Sequence, residues 1–335
     1  MNVLVLRLSA LGDVAMTIPA IYSVARAYPQ HHFVVATAAF TSRLFIGPPS
    51  NVEVLALTKE ESRGVVGTWR LLRRLRGISV DAVADLHNVL RSWAVDAFFR
   101  LRGKPVVMLD KHRSERRAIL GHQTQTTRPF IQRYFDVFAR LGLPAKPQFT
   151  SLFPDRLPPL PSGFVRADDE RWVGIAPFAR YRTKTYDLDQ MQEVVRLTAE
   201  AGCRVFLFGA RGAEAEQLGE WARGQERVTV VAGRLRLEEE LALMARLDVM
   251  LSMDSANMHL ASLVGTRVVS FWGGTTPDCG FLGYGQQESD ALVAGLPCQP
   301  CSIAGGTTCP RGTFECLRCI PPSRIVEKLL LIPNS

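Results

Sequence analysis

Three segments hold residues whose types and spacing could do chemistry, each at an expected strand-to-helix turn. Leu6-Arg7-Leu8-Ser9-Ala10-Leu11-Gly12-Asp13-Val14 leads from an apolar run through a glycine-containing turn into a helix expected to begin near Asp13. A carboxylate is favoured there by the helix dipole, either as a plain N-cap or as a group at the strand end that accepts a proton from a bound hydroxyl. The turn lacks a G-x-G-x-x-G pattern, which disfavours a dinucleotide. Leu251-Ser252-Met253-Asp254-Ser255-Ala256-Asn257-Met258-His259 is again strand, polar turn and helix. Unpaired amides at 255–257 would make an anion site, and small side chains would let a diphosphate approach. His259, one turn further on, is a ligand contact or a packing histidine. Ala176-Pro177-Phe178-Ala179-Arg180-Tyr181-Arg182-Thr183-Lys184-Thr185 is a cationic loop that reads as a phosphate clamp or as a solvated face. Phe271-Trp272-Gly273-Gly274-Thr275-Thr276-Pro277 adds a glycine-rich turn, with a plain turn as the alternative.

The elements that must position these segments alternate between short aliphatic runs and longer amphipathic stretches, the pattern of an α/β protein with parallel sheets. Strands are expected at 3–8, 33–38, 52–56 and 82–86, with helices at 14–27, 64–76, 90–102 and 129–141; the polar stretch 110–128 reads as loop. Four prolines in 154–163 mark an interdomain linker. A second series follows, with strands at 172–176, 204–209, 228–232, 249–253 and 267–272 and helices at 187–201, 212–223, 237–246 and 257–264. The expected domains are therefore 1–155 and 166–320, two Rossmann-like units with the carboxyl ends of their sheets facing a central cleft. Residues 321–335, with an amphipathic helix at 322–332, are expected to pack back on the N-terminal domain.

The 335 residues suit two domains with full cores. The net charge of +8 is uneven: residues 1–160 hold 22 Lys+Arg against 11 Asp+Glu, and residues 161–335 hold 18 against 21. A basic surplus around Lys59, Arg63, Arg70, Arg73, Arg74, Arg76, Arg113, Arg116, Arg117 and Arg128 fits an anionic partner or general solubility. No aromatic-interleaved basic strand or known module points to nucleic acid. No run reaches a membrane-span length, and the apolar start is too short for a signal peptide, so the chain is expected in the cytoplasm. Cys298-x2-Cys301 and Cys316-x2-Cys319, with Cys309 between them, suit a structural zinc site or free, partly buried thiols.

The quoted segments, in this order and over nearly the whole chain, resemble the ADP-heptose:lipopolysaccharide heptosyltransferases of glycosyltransferase family nine. The resemblance implies a GT-B fold and inverting, metal-independent transfer of a sugar from an ADP-sugar donor to the acidic, lipid-linked inner core of lipopolysaccharide, by an enzyme peripherally associated with the inner membrane. It implies Asp13 as general base and Lys184 as the diphosphate contact. Donor contacts would be Ala179, Arg180, Glu214, Leu235, Asp254, Ser255, Ala256 and His259, and acceptor contacts Arg7, Ser9, Arg63 and Arg117. Ala256 stands where the family commonly has glycine, and of the residues near the family's ribose-binding glutamate only Glu214 could do that work. The competing functions are transfer from another nucleotide sugar, GT-B epimerisation of a sugar nucleotide, and non-catalytic binding of an acidic glycolipid.

Overall fold

The computed structural model describes residues 1–61, 64–124 and 126–331, and the chain divides into two compact units. Unit 1 comprises Met1–His112 and Arg128–Leu152. Its strands are β1 (Asn2–Leu6), β2 (His32–Ala38), β3 (Val52–Leu57), β4 (Ala82–Asp85) and β5 (Val106–Met108). They form one parallel sheet in the order β3-β2-β1-β4-β5. Helices α1 (Leu11–Ala27), α2 (Ala39–Ser42), α3 (Gly64–Leu75) and α4 (Leu90–Arg100) connect the strands. β1 is apolar along its whole length because helices cover both faces of such a sheet; Val3 to Leu6 are fully buried.

Unit 2 takes Arg113–Thr127 and everything from Phe153 on. It begins with α5 (Arg113–Leu120); the chain then returns to unit 1 for α6 (Phe130–Arg140). There follow β6 (Trp172–Ala176), α7 (Leu188–Glu200), β7 (Arg204–Leu207), α8 (Ala213–Trp221), β8 (Val228–Val230) and α9 (Leu237–Met244). β9 (Val249–Met253), α10 (Ala256–Leu263), β10 (Val268–Trp272), β11 (Ala291–Val293) and α11 (Pro322–Leu330) complete it. The six strands are parallel in the order β11-β10-β9-β6-β7-β8. In both units the first strand is central and the order reverses beside it, giving switch points at β1/β4 and β6/β9.

Four expectations need correction. The stretch 110–128 is not all loop: α5 forms there because one apolar side chain, Ile119, anchors it against Cys279 and Ile303. That anchor, with Thr127 N–H donating to Asp278 O at 2.9 Å, assigns 113–127 to unit 2 despite its place in the N-terminal half. The terminal helix belongs to unit 2. Ile325, Val326 and Leu329 of α11 enter the unit 2 core, and the Arg171 guanidinium donates to the carbonyls of Leu329 and Leu330. Finally, α1 begins at Leu11 with Ala10 at its N-cap, so Asp13 is the third helical residue and no N-cap; it accepts the Ala10 N–H from inside the first turn at 3.3 Å.

Candidate functional site

At the β6/β9 switch point, residues after the two strands converge on one ion pair. Lys184, in a short 3-10 turn after β6, places Nζ 2.7 Å from Oδ2 of Asp254, which follows β9. Both side chains are largely buried, at 14% and 4% exposure, and Thr275 Oγ1 donates to the same Asp254 oxygen at 2.8 Å. Local packing fixes the lysine loop. Thr183 N–H donates to Gly306 O at 3.1 Å, and Gly306 N–H donates back to Thr183 Oγ1 at 2.8 Å. Gly305, at φ +90°, lies so close to Lys184 that a Cβ there would stand 2.4 Å from the lysine Cδ. Any side chain at 305 would displace the cation. Ser255 is the N-cap of α10, Ala256 its first residue and His259 a buried member of its first turn.

The other expected donor contacts lie at the same edge of the sheet, where its parallel strands end. Ala179 and Arg180 follow β6, with the Arg180 guanidinium 5.4 Å from the Tyr181 ring centre. Glu214 begins α8 after β7, where its Oε2 accepts the Ala210 N–H at 2.7 Å and so closes the turn. Leu235 is half-buried between β8 and α9.

At the β1/β4 switch point the charge is arranged differently. Arg7, buried at the end of β1, donates through Nη1 to Leu86 O at 2.7 Å and pairs through Nη2 with Asp13 Oδ2 at 2.8 Å. One guanidinium thus ties the two central strand ends together and holds the carboxylate, which is 37% exposed. Burial opposes the charge on Arg7, but Tyr134 and Asp13 outweigh it and its pKa is raised. His87 follows β4, with its N–H and that of Asn88 donating to Asp85 Oδ1 at 2.8 and 2.9 Å. Burial, then Arg7, push the His87 pKa down to about 3 against the pull of Asp13, so the ring is neutral at physiological pH. Among the described residues, buried Arg7 Nε, His87 Nδ1 and Tyr134 Oη have no hydrogen-bond partner, one orphaned atom of the guanidinium and two beside it. Such atoms cost stability unless water or a ligand meets them.

The expected acceptor contacts fall in different units. Arg7 and exposed Ser9 stand beside Asp13 in unit 1, Arg117 belongs to α5 in unit 2, and Arg63 lies outside the described residues. Arg117 does line a cavity of about 460 Å³ with Arg113, Arg116, Leu120 and residues 301–304, and among the described residues no acidic side chain lines it. Among the described residues, no group of three or more His, Cys, Asp or Glu side chains is placed to hold a metal ion. All seven cysteines are free, and burial, then neighbouring Cys301, Cys298 and Cys309, push the Cys316 thiol up to about 12.

Residues 68–306 match the model of glycosyltransferase family 9 (heptosyltransferase). The chain belongs to that family. The matched range includes Lys184, Asp254 and the start of α10, and begins after Asp13. Lipopolysaccharide heptosyltransferase 1 of Pseudomonas aeruginosa is 28% identical to this transferase, in an alignment spanning 100% of this chain and 99% of the relative. The solved E. coli ADP-heptose lps heptosyltransferase II has TM-score 0.67 at 21% identity, covering 98% of this chain and 97% of that one. E. coli heptosyltransferase WaaC with ADP has TM-score 0.66 at 19% identity, covering 92% and 96%. The transferase therefore has the GT-B fold.

Sequence reasoning missed His87, Tyr134 and Thr275 as parts of the transferase site. His87 stands alone in an apolar-flanked stretch, and Tyr134 sits on a helix remote in sequence from Arg7, so neither has a local motif. For Thr275 a signal existed, since its glycine-rich turn was already distinguished; only the fold shows that the hydroxyl reaches Asp254.

Proposed function

We propose that this family 9 transferase moves a heptose from ADP-heptose to the inner core of lipopolysaccharide, with inversion at the anomeric carbon. The observation that carries this reading is the opposite loading of the two switch points: a solvent-reachable carboxylate at one and a buried lysine at the other. Asp13 takes the proton of the acceptor hydroxyl as its oxygen bonds to the anomeric carbon. The bond from that carbon to the diphosphate breaks, and the nucleoside diphosphate leaves with its electron pair. Lys184, Arg180 and the amides opening α10 supply the positive charge that this departure needs. Asp254, hydrogen-bonded to Thr275, holds the lysine in place. Glu214, Leu235 and Ala179 complete the donor side, and Arg7 orients the base.

The names of the relatives support heptose and lipopolysaccharide as substrates. The arginine-lined cavity supports an acidic acceptor, since carboxylate or phosphate groups satisfy guanidinium forks. No helix among the described residues is long and apolar enough to cross a membrane; the reaction is proposed to run at the cytoplasmic surface of the inner membrane, where the acceptor is anchored. The test is Asp13→Asn with ADP-heptose and a lipopolysaccharide core acceptor. Transfer is expected to fall by about 10²–10⁴-fold, the worth of a general base, with donor affinity nearly unchanged. Full activity in that variant refutes the mechanism, and donor turnover without acceptor would indicate an epimerase.

A further inference from the structure

Helix α3 carries apolar residues on two faces. Gly67, Leu71 and Leu75 are buried, whereas Val65, Val66 and Trp69 stand in solvent at 86, 63 and 59% exposure. Single exposed apolar side chains are ordinary, but three within about one turn and a half are a patch. α4 packs against α3 and adds Leu90 at 79% and Trp93 at 41%. All strands of this sheet are parallel, so helices that follow strands begin at the edge where the strands end. Both Trp-bearing first halves therefore lie on the edge that carries Asp13.

The charge on these two helix starts is basic. α3 contains Arg70, Arg73 and Arg74 and no acid, and Arg91 follows Leu90 in α4. Of the nearby acids, Glu61 is held by Arg74 at 3.1 Å, and Glu60 is exposed within reach of the Arg70 and Lys59 charges. The Arg73 guanidinium lies 5.8 Å from the Trp69 ring centre. Unit 1 as a whole holds 18 Lys+Arg against 9 Asp+Glu. Exposed indoles and aliphatic side chains beside arginines are the composition of a membrane interface, where rings settle at headgroup depth and guanidinium groups meet lipid phosphates. A second copy of the chain fits the patch poorly, because a two-fold contact would set the arginines against their own copies.

We propose that the first halves of α3 and α4 form a docking surface for an anionic lipid bilayer. Val65, Val66, Trp69, Leu90 and Trp93 enter the interface, while Arg70 and Arg73 pair with headgroup phosphates. The purpose of this surface rests on the lipid-linked acceptor proposed above; its existence is testable without it.

The experiment is cosedimentation of the full chain with phosphatidylcholine vesicles, with and without phosphatidylglycerol. Wild type should bind the anionic vesicles more tightly, and less so as salt rises. The Val65→Ser/Val66→Ser pair, Trp69→Ser and the Arg70→Glu/Arg73→Glu pair should each weaken binding by about tenfold or more. Leu101→Ser, at the other end of α4, and Arg223→Glu in unit 2 should bind as wild type does. Nucleotide-induced thermal stabilisation, unchanged in every variant, confirms that each is folded. Equal binding by Trp69→Ser, no preference for anionic vesicles, or a dimer that the Val65→Ser/Val66→Ser pair dissolves would each overturn the proposal. Transfer to a deacylated, soluble acceptor is assayed in parallel. Its absence in wild type would count against the proposed lipopolysaccharide acceptor alone, and its retention in variants that leave vesicles is the expected result.

Discussion

The two units use one topology and load its switch point in opposite ways. In unit 2 the cation and its carboxylate are both buried and the pair is closed on itself, with Thr275 satisfying the acid. In unit 1 the arginine is buried but its carboxylate is more than a third exposed, and among the described residues the guanidinium Nε and two polar atoms beside it have no partner. The proposed mechanism asks for this difference: a cation beside a diphosphate must keep its place, whereas a base must meet an incoming hydroxyl. Net charge follows the same division: unit 1 has 18 basic against 9 acidic residues, and unit 2 has 22 against 23.

The sharpest way to break this comparison is to remove the cation from each pair. Lys184→Met strands Asp254 in a buried site and should cost about 3–5 kcal/mol of unit 2 stability, besides most transfer activity. Arg7→Met leaves Asp13 free to hydrate and should cost less than half as much, read by urea denaturation of each variant. Equal losses would mean that the two pairs are alike after all.

A smaller effect, confined to two groups of unit 1, is read by pH. His87 has a folded pKa of about 3 against an ordinary value near 6.5, so the unfolded chain binds the extra proton between these values. Its contribution is complete above about pH 6.5 and lost as pH falls toward 3. Asp96 has the opposite sign: burial, then Asp85, raise its pKa above the carboxylate range, and neither of its oxygens has a donor. The stability it lends while protonated is lost as pH rises through its elevated pKa. Denaturant midpoints should therefore show His87→Gln less sensitive than wild type between pH 6 and 4, and Asp96→Asn less sensitive between about pH 4 and 8; unchanged profiles would remove both groups from the account.

Removing one arginine from the α5 cavity, as Arg116→Gln or Arg117→Gln, should raise the acceptor KM several-fold at constant donor KM. Burial already lowers the Arg116 pKa, so a desolvated cation is there to be satisfied. An equal rise in donor KM would assign the cavity to the nucleotide sugar. The smallest effect is expected from Thr275→Val, about 1 kcal/mol of stability for one lost hydrogen bond to Asp254, measured in the same denaturation series.

Much of this fold is legible in residue order. Trp172–Ala176 and Val249–Met253 form strands at the expected bounds, because a strand covered on both faces must be apolar throughout. The cationic loop and the Asp254 turn are visible for a similar reason: each joins a strand to its next helix, so its chemistry is local. β5 and β11, with three residues each, are too short for any periodicity to declare them. α5 was hidden by its polarity, since only Ile119 among its eight residues is buried.

By itself, the order of residues determined two parallel α/β series and the strand ends at which charged groups gather. Pattern and turn chemistry act over a few residues, and both are written in the chain. Only the tertiary structure decided which charges meet. Lys184 and Asp254 are 70 residues apart and share one buried bond, Arg7 reaches across to Leu86, and Arg113–Thr127 joins a unit that its own half of the sequence does not build. Burial and pairing depend on packing between distant segments, and no local pattern records them.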